Sequence, residues 1–111
     1  MIIKIKYGIF HISMAYSVVE FEWDLAKEQA NIDKHGRAFS EAIEAFRDPL
    51  GVQLVDKKHS IGESRFYWVG KTDSGKILTV WFTRRSRKIR IIGCAEWRKF
   101  RSFYYEATKI K

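Results

Sequence analysis

The sequence has little of what several large classes of protein depend on. Among its 111 residues there is one cysteine, Cys94, and one proline, Pro49. A lone cysteine excludes an intrachain disulfide framework and a cysteine-based zinc site. The apolar neighbours Ile91 and Ile92 favour a small buried side chain at this position over a nucleophile. The low cysteine content indicates a protein of a reducing compartment, the cytoplasm.

Long apolar runs are also missing, and none is long enough to span a membrane. Near the N-terminus, Lys4 and Lys6 interrupt an apolar stretch that weakly imitates a signal peptide. We interpret residues 1–17 as an N-terminal extension, which either adds an edge strand or results from a mis-assigned start codon. No repeat, low-complexity tract or linker divides residues 18–111, which are predicted to form a single domain without a membrane partner.

The chain lacks the usual signatures of enzyme sites as well. It has no Gly-x-Ser-x-Gly elbow, no phosphate-binding glycine loop and no dinucleotide fingerprint. The three histidines, His11, His35 and His59, lie far apart, and no His/Asp/Glu spacing matches a known metal-ligand pattern. The sequence therefore predicts no metal site and no cofactor.

Positive charge is abundant, and it is concentrated in the C-terminal half. The formal net charge is +8. Residues 61–111 contain 13 Lys and Arg against four acids, whereas residues 20–60 contain six against nine. The electrostatic field of such a basic half attracts polyanions. RNA, DNA, anionic lipid and an acidic protein are all partners of this kind. Composition alone therefore leaves the partner open.

The N-terminal part of the chain predicts one strand and two helices. Asp24 is suited to cap the first helix, and Gly36 is suited to end it in a left-handed conformation. Ser40 is suited to cap the second helix, which Pro49 follows. The predicted elements are a strand over residues 18–23, a helix over residues 25–35 and a helix over residues 41–47.

The chain after Pro49 is rich in β-branched and aromatic residues, which favour strands. Gly75 supplies a positive φ in a polar turn, so the strands on either side are expected to form an antiparallel hairpin. The predicted strands are residues 51–55, 65–71, 76–83 and 88–94, and a last helix spans residues 96–108. The predicted fold is α+β, a twisted antiparallel sheet with two N-terminal helices and one C-terminal helix packed on it.

Basic and aromatic residues are interleaved in three segments, residues 65–68, 81–85 and 97–101. This mixture suits an RNA surface, because cations neutralise phosphates and flat rings stack on unpaired bases. Strand alternation offers a second explanation, in which the aromatic side chains point into the core. We favour the core for four of them, Phe66, Trp68, Trp81 and Phe100.

RNA can be cut without a metal, because its own 2′-OH is a built-in nucleophile. The protein then has to orient the strand, move protons and stabilise charge on the phosphate. Arginine suits the last task, since it stays charged and holds two phosphate oxygens at once. For the proton transfers the sequence leaves four candidates open: His35, Glu63, Lys71 and Tyr67.

Several spaced motifs resemble one known family. Residues 21–36, FEWDLAKEQANIDKHG, and residues 39–50, FSEAIEAFRDPL, resemble the opening of the BrnT toxins. The resemblance continues in the same order with Glu-x-Arg-Phe at 63–66, Val-Gly at 69–70, Thr-Arg-Arg at 83–85, Ile-Arg-Ile-Ile at 89–92 and the segment 93–106. It covers roughly residues 20–106 and is specific, because several motifs recur in one order.

The resemblance implies a RelE-like fold and a metal-independent endoribonuclease that inhibits translation as the toxin of a type II toxin–antitoxin pair. It also implies a DNA-binding antitoxin of the BrnA type, so that the toxin reaches operator DNA only through its antitoxin. Arg65 and Arg84 are expected to handle the scissile phosphate, with Lys34 and His35 as further catalytic residues. For Lys34 and His35, complementing the helix dipole is an equally good explanation. The expected RNA-binding residues are Lys71, Arg85, Arg90, Arg98, Lys99 and Arg101.

The sequence departs from the family pattern at two places. Phe82 stands where most members carry His, and residues 93–96, Gly-Cys-Ala-Glu, stand where they carry Ser-Ala-Arg-Arg. A candidate acid–base histidine and two basic groups are therefore missing. We expect catalysis that is weaker than in typical members or lost, and the alternative is a non-catalytic module that binds nucleic acid or an antitoxin.

Overall fold

The computed structural model describes residues 18–109, together with the backbone of residues 4–11. In chain order the elements are β1 (Lys4–His11), β2 (Val18–Asp24), α1 (Leu25–His35), α2 (Phe39–Phe46), β3 (Val52–Val55), a short 3-10 helix (Lys57–His59), β4 (Arg65–Lys71), β5 (Ile77–Arg85), β6 (Lys88–Ala95) and α3 (Arg98–Ala107). The predicted α+β architecture is confirmed. α3 is shorter than predicted by two residues at its start and one at its end, which is the usual scatter of helix ends.

The strands form one sheet in the order β1-β2-β6-β5-β4-β3. The strands β3 to β6 make an antiparallel meander, which includes the hairpin predicted around Gly75, and Arg65 of β4 lies opposite Thr83 of β5. β2 and β6 run parallel, so the sheet is mixed rather than wholly antiparallel. Parallel neighbours need a long crossover, which α1, α2 and the meander provide together.

β1 pairs antiparallel with β2 at one edge of the sheet. This strand corresponds to the edge strand that the sequence left open for residues 1–17. Residues 1–3 and 12–17 of that predicted extension lie outside the described residues.

α1 begins and ends where the sequence predicts. The Asp24 carboxylate accepts a backbone N–H of the first turn at 2.8 Å, and Gly36 ends the helix with a φ of 70°. The buried side chain of Asn31 ties the helix to β6. Its amide donates to the carbonyl oxygen of Cys94 at 2.9 Å and accepts from the N–H of Cys94 at 3.0 Å. These bonds fix the C-terminal half of α1 against the sheet.

α2 begins earlier than predicted, at Phe39, so Ser40 lies within the helix and does not cap it. The N–H of Phe39 donates instead to Oε2 of Glu28 at 2.9 Å. A carboxylate from α1 thus satisfies a helix-start donor that the sequence led us to assign to a local cap. The prediction was wrong because this contact joins two helices and has no local sequence signal.

One face of the sheet carries the main apolar core, which α2 covers. The ring of Phe46 packs against Phe82, with centroids 5.0 Å apart, and against Trp68 at 5.4 Å. The Trp68 indole N–H donates to the carbonyl oxygen of Ala45 at 2.7 Å. Cys94 is buried on the same side, and burial raises its pKa to about 12. It is therefore the structural cysteine that its apolar neighbours predicted.

α3 packs on the opposite face of the sheet. Tyr104 is buried with Val69 and Ile77, and its hydroxyl donates to Oδ2 of Asp48 at 2.5 Å. Toward the start of α3 the contacts are made by partly exposed aromatic rings. The ring centroids of Phe100 and Tyr67 are 5.2 Å apart. This less covered end of the α3 face holds the candidate site.

Candidate nucleic-acid interface

An open pocket of about 260 Å³ lies where the end of α1 meets the α3 face of the sheet. It is lined by Lys34, His35, Asp56, His59, Arg65, Tyr67, Trp81 and Trp97. Four of these groups can carry positive charge, one is a carboxylate and three are aromatic. Because they come from five different parts of the chain, only the fold brings them together.

The wall of the pocket is a pair of stacked tryptophans. Trp81 and Trp97 have ring centroids 4.7 Å apart and planes inclined by only 9°. The Trp81 ring lies over Gly93, where an added Cβ would come within 2.3 Å of the ring. Any larger residue at position 93 would push the ring away, so the glycine allows this wall to form.

The four aromatic residues expected in the core have different positions. Trp68 is buried as predicted, and Phe66 and Phe100 are partly buried against the two core clusters. Trp81 is also only partly buried, and it lines the pocket. The prediction of a core position is wrong for Trp81. Its ring lies on the α3 face beside the start of α3, where the helix does not fully cover it.

Lys34 and His35 end α1 at the rim of the pocket. The edge of the His35 ring faces Trp81, with centroids 5.8 Å apart. Partial burial, and then the charge of Lys34, lower the pKa of His35 below its usual value of 6.5. An imidazole that is mostly neutral at pH 7 interacts only weakly with the negative end of the helix dipole. It is able, however, to accept a proton. The dipole explanation is therefore weaker for His35 than for Lys34.

Arg65 is the first residue of β4 and lines the pocket. Its side chain is partly buried, and among the described residues no carboxylate lies within ion-pair distance of its guanidinium. Arg85, by contrast, pairs with Glu63 at 2.9 Å. An unpaired guanidinium that lines a pocket is suited to hold a phosphate.

Asp56 and His59 are the pocket residues that sequence reasoning missed. Nδ1 of His59 lies 2.9 Å from Oδ2 of Asp56, and the Asp56 side chain is only 8% exposed. Nearby Tyr67 has its pKa raised, first by burial and then by the Asp56 carboxylate. The Asp-x-x-His spacing just before a strand was the available signal, and it matches no metal-ligand pattern that would have drawn attention to it.

Arg84 lies apart from Arg65, although the two were expected to share a phosphate. Thr83 is the residue opposite Arg65, so strand alternation turns Arg84 to the other face of the sheet. There its guanidinium lies about 6 Å from the ring centroids of Phe66 and Phe82 and donates to Gln53 at 2.7 Å. The structure thus places Arg65 in the pocket and Arg84 outside it.

The expected RNA-binding residues are also divided. Arg90 is buried and lies 3.2 Å from the Glu22 carboxylate, so it has a structural partner instead of a surface position. Lys71 is at the opposite end of β4 from Arg65, with its ammonium 6.0 Å from the centroid of the Tyr105 ring. Neither residue lines the pocket.

Arg98, Lys99 and Arg101 are exposed on the first turns of α3. Two of them, Arg98 and Arg101, line a second pocket of about 200 Å³ together with Glu96 and Trp97. Trp97 lines both pockets, so this basic patch continues directly from the larger one. Of the proton-transfer candidates, His35 and Tyr67 line the first pocket of about 260 Å³, which is called the main pocket from here on.

The two departures from the family pattern have structural explanations. Phe82 is fully buried in the core beside Phe46, on the face opposite Arg65. Ala95 is buried, and the Glu96 carboxylate forms an ion pair with Arg37 at the joint between β6 and α3. Neither position lines the main pocket, but Glu96 places a carboxylate in the lining of the second pocket. The expectation of weaker catalysis therefore stays a prediction.

Two further features are absent from the part of the chain that the structure describes. Among residues 18–109, no three His, Cys, Asp or Glu side chains are close enough together to hold a metal ion. Within the same described residues, no helix has the length and apolar character needed to cross a membrane.

The fold and the pocket define a small α+β protein with a basic, aromatic-walled site suited to a phosphodiester strand. Residues 23–100 match the model of the family described as the ribonuclease toxin BrnT of type II toxin–antitoxin systems. The match covers well over half of the chain, which therefore belongs to the BrnT family of ribonuclease toxins.

Among solved structures, the crystal structure of the Brucella abortus ribonuclease toxin BrnT is similar to this chain. The two share 22% sequence identity with a TM-score of 0.47, over 68% of this chain and 91% of the other. No curated protein matches the chain.

Proposed function

We propose that this protein is an active, metal-independent endoribonuclease of the cytoplasm that cleaves cellular RNA, inhibits translation and is neutralised by a BrnA-type antitoxin. The observation that carries the proposal is the pocket itself. The unpaired guanidinium of Arg65 lines this pocket together with Lys34, His35 and the stacked tryptophans. Phosphate binding, proton transfer and base stacking are thus available in one place.

The cationic side chains supply what metal-free cleavage needs. Arg65 and Lys34 would hold the scissile phosphate and offset the negative charge that builds up in the transition state. The nucleophile is the 2′-OH of the substrate, which DNA lacks. RNA is therefore the polyanion, among those that the net charge allows, on which this set of residues can act.

The second pocket indicates a path for the strand. Arg98 and Arg101 line this second pocket, which shares Trp97 with the main pocket. A single strand that crosses Trp97 would place successive phosphates near Arg65 and near these arginines, with an unpaired base against the accessible part of the partly buried indole. Double-stranded RNA keeps its bases stacked on each other, so single-stranded RNA is the proposed substrate.

The antitoxin is expected to use the same positive field. Because residues 61–111 carry 13 basic residues against four acids, a docking segment that is acidic or amphipathic suits this half of the molecule. Such a segment would cover the pocket and the first turns of α3. Binding there would block RNA and toxin activity together.

Induced expression in a bacterium tests the proposal. The wild-type chain should arrest growth, Arg65→Ala should not, and Arg84→Ala should arrest growth like the wild type because it lies outside the pocket. Co-expression of the small protein encoded beside it should restore growth. Harmless wild-type expression, with RNA binding that weakens steeply as salt rises, would favour the non-catalytic module instead.

A further inference from the structure

The ring of His59 is held in one orientation at the pocket. Asp56 lies 2.9 Å from its Nδ1 and is 8% exposed, whereas His59 is 53% exposed. An ionised carboxylate only accepts hydrogen bonds, so Nδ1 carries the proton of the neutral ring. Nε2 then has the free lone pair, and among the described residues no hydrogen-bond partner occupies it.

The turn that carries this pair is hydrogen-bonded to the start of β4. The N–H of Asp56 donates to the carbonyl oxygen of Arg65 at 2.9 Å. The Ser60 hydroxyl donates to the carbonyl oxygen of Asp56 at 2.6 Å and accepts from the N–H of Arg65 at 3.0 Å. His59 and Arg65 thus belong to one hydrogen-bonded unit and line the same pocket, so a phosphate held there by the guanidinium would share the pocket with the imidazole.

Stability alone does not explain the pair well. An exposed partner such as His59 contributes little to folding through an ion pair. Burying the Asp56 carboxylate has a desolvation cost that a half-exposed imidazole and the nearby Tyr67 hydroxyl offset only in part. The arrangement resembles what an acid–base catalyst requires, a buried carboxylate that orients an accessible histidine.

The other histidine of the pocket lacks this support. His35 contacts the edge of Trp81, but within residues 18–109 no carboxylate is hydrogen-bonded to its ring. Nothing there fixes which of its nitrogens carries the proton. Of the two histidines, only His59 has a hydrogen bond within the described residues that fixes Nε2 as the nitrogen that accepts a proton.

We propose that His59 is the catalytic proton acceptor of the pocket and that Asp56 is its positioning residue. The inference rests on the ribonuclease activity proposed above, and it names the group that carries the first proton transfer of that reaction.

The proposed reaction needs only the RNA strand, His59 and solvent. Nε2 of His59 takes the proton of the 2′-OH, and the 2′-oxygen forms a bond to phosphorus. The bond from phosphorus to the 5′-oxygen breaks, and that oxygen takes a proton from solvent, to which His59 later returns its own. The products are a 2′,3′-cyclic phosphate and a 5′-OH end, and nothing is oxidised or reduced.

Single-turnover cleavage of a short single-stranded RNA by the purified full chain tests the proposal. His59→Ala should cleave about 100-fold more slowly or worse, the usual contribution of a general base. Added imidazole should restore part of the lost rate, which it would not do for Arg65→Ala. Lys58→Ala, an exposed neighbour on the same 3-10 helix, is the matched control and should cleave at the wild-type rate.

Asp56→Asn keeps the size of the buried side chain and tests positioning. It should lower kcat and leave KM unchanged, because RNA binding does not depend on the tautomer of His59. Nitrogen NMR of the RNA-free protein gives a readout that needs no activity. The wild type should show His59 with its proton on Nδ1, and the Asp56→Asn variant should show a shift toward the Nε2-protonated form.

The outcomes separate this inference from the proposed function. If the wild type cleaves, Arg65→Ala is inactive and His59→Ala is as fast as the wild type, the role of His59 is overturned and the ribonuclease stands. A slow His59→Ala variant that folds normally by circular dichroism but gains nothing from imidazole also overturns it. If the wild type cleaves no RNA, the proposed function fails and the inference fails with it.

Discussion

The two faces of the sheet differ in what their aromatic residues do. On the α2 face, Phe46, Trp68 and Phe82 are buried against one another. On the α3 face, Trp81 and Trp97 are partly buried and stack on each other beside charged side chains at the pocket. Because neighbouring strand residues point to opposite faces, β5 supplies Phe82 to the first set and Trp81 to the second. The α2 face supports the fold, and the exposed end of the α3 face offers a site.

The first prediction concerns the α2 face and has the largest expected effect on stability. Phe82→Ala should lower the free energy of unfolding by about 3–5 kcal/mol, because it leaves a cavity between Phe46 and Phe66. Chemical denaturation measures this. A loss below about 1 kcal/mol would show that Phe82 is not part of the main core.

The second prediction concerns the tryptophan wall. Trp97→Ala should cost about 1 kcal/mol of unfolding free energy through the lost stack on Trp81. Under the proposed function it should weaken binding of single-stranded RNA by roughly 1–3 kcal/mol, measured by fluorescence anisotropy. Phe103→Ala, on the exposed side of α3, is the matched control and should leave RNA affinity unchanged. Equal losses of affinity in both variants would contradict a specific role for Trp97.

The third prediction uses the pH dependence of stability. Because the pKa of His35 is lowered in the folded state, the unfolded chain binds more protons between that pKa and the ordinary value of 6.5. His35 should therefore make the folded state less stable as the pH falls through this range. Urea denaturation at pH 7.5 and at pH 5 should show a smaller decrease for His35→Gln than for the wild type. The same decrease in both proteins would refute the assignment.

The smallest expected effect belongs to the joint between β6 and α3. Glu96→Gln removes the ion pair with Arg37, whose two side chains are 21% and 33% exposed. We expect a loss of at most about 1 kcal/mol, which high salt should reduce. A larger loss that salt does not change would mean that Glu96 has a role beyond this ion pair.

Much of the fold was predictable because its signals are local. The Asp24 cap, the Gly36 terminus and the alternation of the last four strands each depend on neighbouring residues. The start of α2 and the parallel pairing of β2 with β6 were not predictable in this way. Both depend on contacts between segments that are distant in the sequence.

The site was predictable only in part, for the same reason. Motif resemblance pointed to Arg65, Lys34 and His35, and the fold brings these three together. It did not indicate that Arg84 lies on the other face or that Arg90 is buried beside Glu22. Such placements depend on strand register and packing, which residue type and charge do not determine.

The most direct test of the central claim is cleavage of single-stranded RNA by the purified protein in excess EDTA. The wild type should cleave, Arg84→Ala should cleave at nearly the wild-type rate, and Arg65→Ala should be slower by about 100-fold or more. Loss of wild-type cleavage on adding EDTA would contradict the metal-free mechanism. Equal activity of the Arg65 and Arg84 variants would contradict the assignment of the site to the α3 face.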